Sequence, residues 1–119
     1  PTLDASFQKL NEKYFSGLID KPNLVWGLPS KRKLGSYEYA RDTIVMSSIF
    51  KDAPQEFLDS VMYHEMLHKK HKFKESNGRC RHHTPAFRAE ERQFENFDDV
   101  EHRMKYFLAK KKFKSWLGF

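Results

Sequence analysis

His64, Glu65 and His68 stand in the stretch "DSVMYHEMLHKKHKF", two histidines four positions apart with a carboxylate directly after the first. On an α-helix, residues i and i+4 lie about 40° apart in projection, so both imidazoles can aim a nitrogen at one ion roughly 2.0–2.1 Å away. Glu65 falls on a flank from which its carboxylate reaches a water at the metal without replacing it, the place of a general base. The chemistry that suits this arrangement is hydrolysis at a zinc ion that keeps three protein ligands and one open position. A shuffle of this composition yields some HExxH about once in fifty chains, so the spacing needs support from its surroundings. An exposed polar helix face would also explain three such residues. Val61, Met62 and Leu67 argue otherwise: they set this turn against the core, where a His-Glu-His group without a metal is costly.

A third ligand is then required, and the downstream candidates are His71, Glu75, Cys80, His82, His83, Glu90, Glu91 and His102. His71 would crowd the ion from the same helix. His82 and His83 end a polar stretch just before Pro85, where the chain can fold back over the first two histidines. Cys80 reads as a loop thiol, with a second metal contact as the alternative.

The elements that must position these residues follow from pattern and punctuation. Leu3, Phe7, Leu10, Tyr14 and Leu18 recur at helical spacing, predicting a helix over 3–16 that ends at Gly17. Short β-favouring runs predict strands near 23–28, 34–40 and 43–47, joined as an antiparallel meander. Pro54 opens a helix of roughly 54–71 that carries HExxH near its end. "KESNGRCRHHT" reads as a loop, Thr84 with Pro85 as the cap and first position of a third helix, and Asp98 or Asp99 as the start of a fourth. The expected fold is α+β, one domain over 1–119: an N-terminal helix, a small three-stranded, mostly antiparallel sheet, the HExxH helix, and further C-terminal helices.

The chain has 119 residues, a formal net charge of +6, eleven Phe and a single Cys. That length suits one domain with a core of its own. No apolar run reaches the roughly 20 residues needed to span a bilayer, and "PTLDASFQKL" lacks the pattern of a signal peptide. With one unpaired cysteine, this points to an intracellular monomer with no membrane partner. The positive charge favours acidic partners. Lys31 to Lys33 and Lys110 to Lys114 read first as solvated surface, although Phe113 and Trp116 in "KKKFKSWLGF" would also serve a single-stranded nucleic-acid platform. Equally, Phe113, Trp116, Leu117 and Phe119 suit docking of the tail on the domain, at the cleft as a built-in inhibitor or elsewhere.

"HEMLH", fourteen intervening residues and then "HTPAF" resemble the SprT-like zinc metallopeptidases, the family that includes Spartan. Their pattern is HExxH followed at similar spacing by His-Gly-Pro-x-Phe. Upstream, "NEKYF", "VWG" and "LGSYEYARDTIVMSSIF" look like the family's helix, three-stranded sheet and approach to the active-site helix. The resemblance implies His64, His68 and His83 as zinc ligands, Glu65 as general base, and a protein or peptide substrate, with DNA-bound or crosslinked proteins as one class. Thr84 departs from the family's Gly. The chain is also similar to the single-domain minigluzincins, in which a glutamate from a following helix is the third ligand; that similarity makes Glu90 and Glu91 rivals to His83. The His-x-x-x-Phe context favours His83, because a buried Phe87 would pin that turn. Substrate is expected to add as a strand along 43–47, and Tyr37, Tyr39, Tyr106 and Arg103 are the candidates for stabilising the oxyanion.

Overall fold

The computed structural model describes the backbone of residues 2–71 and 83–117, and the side chains of 2–71 and 83–110. Glu75, Cys80, His82 and the side chains of Phe113, Trp116, Leu117 and Phe119 lie outside the described residues. The chain runs through helix α1 (Leu3–Phe15), strands β1 (Asn23–Gly27), β2 (Gly35–Glu38) and β3 (Thr43–Ser47), and helices α2 (Gln55–His71), α3 (Pro85–Glu91) and α4 (Phe97–Leu117). Every predicted element is present within a few residues. Thr2 caps α1 through its hydroxyl, which accepts from the Ala5 N–H at 3.2 Å. The helix closes at Ser16, which adopts the left-handed conformation one residue before the expected glycine.

The strand order corrects the meander. β3 lies in the centre, parallel to β1 and antiparallel to β2. Residues 43–47 are therefore not an edge, and the edges are β1 and β2. Burial explains the order: Ile44 and Met46 are fully enclosed, so the most apolar strand takes the position with neighbours on both sides. The connection from β1 to β2 passes the end of β3 instead of turning back. There the Ser30 N–H donates to Ser47 Oγ at 2.8 Å, and the Ser47 hydroxyl donates to the Ser30 carbonyl at 2.8 Å. Only β2 and β3 form a tight pair, through a 3-10 turn at Tyr39–Arg41 and a left-handed Asp42.

The core sits between the sheet, α1 and α2. Phe7, Leu10, Phe50, Leu58, Met62 and Met66 are all enclosed, each worth roughly 1.5–3 kcal/mol of transfer free energy. Buried Asp59 on α2 accepts from the Ser6 hydroxyl at 2.7 Å and from Lys9 Nζ at 2.5 Å, which pins α1 to α2. At the other end of α2, Lys69 donates to both carboxylate oxygens of Asp42, at 2.8 and 3.0 Å. That bond anchors the HExxH helix to the β2–β3 turn.

Gly35 sets the distance between β2 and α2. A Cβ there would stand 2.9 Å from Val61 Cγ1, 3.2 Å from Met46 Sδ and 3.3 Å from Glu65 Cγ. Only a residue without a side chain lets the edge strand come this close to Glu65. Among the described residues, no helix is long and apolar enough to cross a membrane.

Candidate metal centre

The α2 helix places His64 and His68 one turn apart with their Nε2 atoms 3.2 Å from each other. His83, directly ahead of α3, brings its Nε2 to 3.3 Å from that of His68. The three histidines form a group whose possible ligand atoms all lie within 4.8 Å of one another. An ion in tetrahedral coordination, with bonds of about 2.0–2.1 Å, holds its ligands about 3.3 Å apart, so the spacing fits.

The turn that presents His83 is built locally. Thr84 Oγ1 accepts from the Phe87 N–H at 3.1 Å and caps α3, with Pro85 at the first helical positions. Arg88 Nε donates to the His83 carbonyl at 3.2 Å. Phe87 is 1% exposed, and its ring lies 5.1, 4.7 and 4.9 Å from the rings of His64, His68 and His83. One aromatic side chain thus forms the floor of all three imidazoles. Replacing it, Phe87→Ala, is expected to cost about 3–5 kcal/mol in denaturant unfolding and to weaken metal binding as well. A loss below about 1 kcal/mol would mean that the turn is held by the Thr84 cap alone.

Glu91 takes a different position from a third ligand. Its Oε2 lies 2.5 Å from Nδ1 of His64, on the opposite side of the ring from the Nε2 that faces His68. The hydrogen bond to His64 holds the Glu91 carboxyl below the usual carboxylate range. An ionised carboxylate only accepts, so Nδ1 donates and Nε2 keeps its lone pair for a metal. Burial opposes protonation of His64, but the bond to Glu91 and the charge of Glu65 leave its pKa raised overall.

Glu90 turns away from the group. It accepts from Lys70 Nζ at 2.5 Å and lies 2.7 Å from His71 Nε2, while its backbone carbonyl accepts from the Tyr63 hydroxyl at 2.5 Å. His71 is thereby committed to Glu90, and His102 is exposed on α4. The structure brings His83 to the pair on α2, and neither His71, His102 nor Glu90.

Glu65 is 5% exposed. Burial pushes its carboxyl up to about 7, against the pull of His64 and Lys33. It lines a cleft of about 480 Å³ together with His64, Glu91, Gly35 of β2, and Glu101 and Lys105 of α4. None of Tyr37, Tyr39, Tyr106 and Arg103 lines that cleft. Tyr37 donates to Asp42 at 2.7 Å, Arg103 pairs with Glu56 and Asp99, and Tyr39 and Tyr106 are 53% and 66% exposed. The wall formed by Glu101 and Lys105 had no sequence signal, because both sit on what reads as the solvated face of a helix.

The model of the SprT-like family matches residues 3–106. The chain belongs to the SprT-like family. No curated protein matches it. Among solved structures it is similar to the crystal structure of the metallopeptidase zymogen of Methanocaldococcus jannaschii jannalysin. The two share 20% identity over 91% of this chain and 98% of the other, with a TM-score of 0.67. This SprT-like chain therefore shares the fold of the jannalysin zymogen, α+β, with four helices and a mixed three-stranded sheet among the described residues.

Proposed function

We propose that the protein is a zinc-dependent metallopeptidase in which His64, His68 and His83 hold the ion and Glu65 is the general base. The observation that carries this reading is the convergence of three imidazole nitrogens within 4.8 Å beside a buried glutamate that faces an open cleft. Three neutral imidazoles of borderline softness suit zinc over magnesium or calcium. Bound there, zinc supplies a Lewis acid that polarises the substrate carbonyl and eases ionisation of water. The rest of the chemistry falls to side chains of this chain. Glu65 accepts the proton of the attacking water and delivers it to the departing amine, and its buried place beside the three imidazoles, at the wall of the cleft, suits both transfers. Glu91 holds the His64 ring in the tautomer that leaves Nε2 available. β2 is the sheet edge whose Gly35 lines the cleft, so it replaces 43–47 as the strand to which an extended peptide would add.

The test is metal content together with cleavage of an unfolded protein. About one zinc per chain is expected, with cleavage abolished by a chelator and restored by zinc. A zinc-free protein, or cleavage that survives the chelator, would overturn the assignment.

A further inference from the structure

The floor of the cleft beside Glu65 is apolar. Val61, Phe94 and Met104 are 8%, 7% and 5% exposed, and Leu34, Phe97 and Leu108 are half-buried around them. Val61 precedes Glu65 by one turn of α2, and Leu34 precedes the glycine that touches Glu65. The apolar floor therefore begins one helical turn from the general base. On the far side, Met104 and Leu108 stand four residues apart on α4 and form one continuous wall. Charged groups lie at the rim: Arg32, Lys33, Glu101 and Lys105 are all exposed.

We propose that this cleft selects a bulky apolar side chain at a position adjoining the cleaved bond, a specificity that rests on the peptidase reading above. A volume of about 480 Å³ falls among ligand pockets of about 300–1,000 Å³ and takes one large side chain with its backbone. Water against Val61, Phe94 and Met104 is displaced at a gain by Phe, Leu, Met or Tyr. A charged side chain set against Val61, Phe94 and Met104 loses its hydration there, so Asp, Glu and Lys are disfavoured. Gly leaves the floor wet and gains nothing.

Two measurements test this on the full chain. Zinc-loaded protein is given a mixture of unfolded polypeptides and the cleaved bonds are mapped by mass spectrometry. Phe, Leu, Met or Tyr should flank the cut, cleaved at least about tenfold faster than the Gly or Asp counterpart. Leu108→Ala should narrow the Phe-to-Gly ratio by about tenfold, and Leu34→Ala on the opposite wall serves if the first variant does not fold. In parallel, Glu65→Gln is titrated by fluorescence with a blocked peptide containing Phe and with its Gly counterpart; tighter binding of the Phe peptide, weakened by Leu108→Ala, is expected. Equal binding of the two peptides overturns the pocket whether or not anything is cleaved. Cleavage without preference, or with preference for acidic or basic residues, overturns the pocket and keeps the peptidase. Selective binding without cleavage keeps the pocket and sinks the peptidase reading.

Discussion

Glu65→Gln is expected to keep its zinc and its fold while peptide cleavage falls by about 10²–10⁴-fold. The amide is nearly isosteric, so the close contact with Gly35 survives. What changes is the proton. An amide cannot accept it from water at neutral pH, and the neighbouring Glu91 is committed to Nδ1 of His64. Stability moves the other way or not at all. The carboxyl is raised above its ordinary value by burial, to about 7, so ionising it disfavours the folded state above its unfolded pKa. A neutral amide removes that cost, and in the metal-free protein the melting temperature of Glu65→Gln should equal or exceed the parent's. Undiminished cleavage with metal content at the parent level would refute the role of Glu65. Loss of the metal would instead mark Glu65 as a ligand.

What was legible in the sequence divides by the range of the interactions involved. The HExxH pair needs only the geometry of one helix, and α2 places both nitrogens where i, i+4 spacing requires. The start of α3 was legible for the same reason, because a Thr cap and a Pro at the first positions act within four residues. Strand order was not. Whether β1 pairs with β2 or with β3 depends on which strand the core encloses on both sides, and Ile44 and Met46 decide that only when packed under α2. His83 lies fifteen residues from His68, a separation that no local rule bridges, and the resemblance to a family supplied it. Glu91 was weighed as a rival ligand, yet it stands against the ring nitrogen that faces away from the group. Sequence has no means of telling which atom of an imidazole a distant carboxylate will meet. For α4, Met104 reads the same whether it closes a core or floors a cleft.

The ligand set is where the two family likenesses part, and His83→Ala is the variant that separates them. His83 is exposed, so in the metal-free protein its loss should change stability by no more than about 0.5 kcal/mol; the Thr84 cap and the Phe87 floor do not depend on it. Metal affinity, read by competition with a chromogenic chelator, should collapse nevertheless. Two imidazoles from one helix turn make only half of a tetrahedral site, and the third nitrogen closes the group at 3.3 Å from His68. Glu91→Gln should fall between this variant and the parent. It removes the carboxylate that orients His64 and keeps all three nitrogens, and such outer partners are worth about 10–100-fold in affinity. His82→Ala should bind like the parent. The opposite ranking, with Glu91→Gln empty and His83→Ala still loaded, would require Glu91 to leave Nδ1 of His64 and cross to the other edge of the ring as a ligand. That result would assign the site to the glutamate-ligand class and return His83 to the surface.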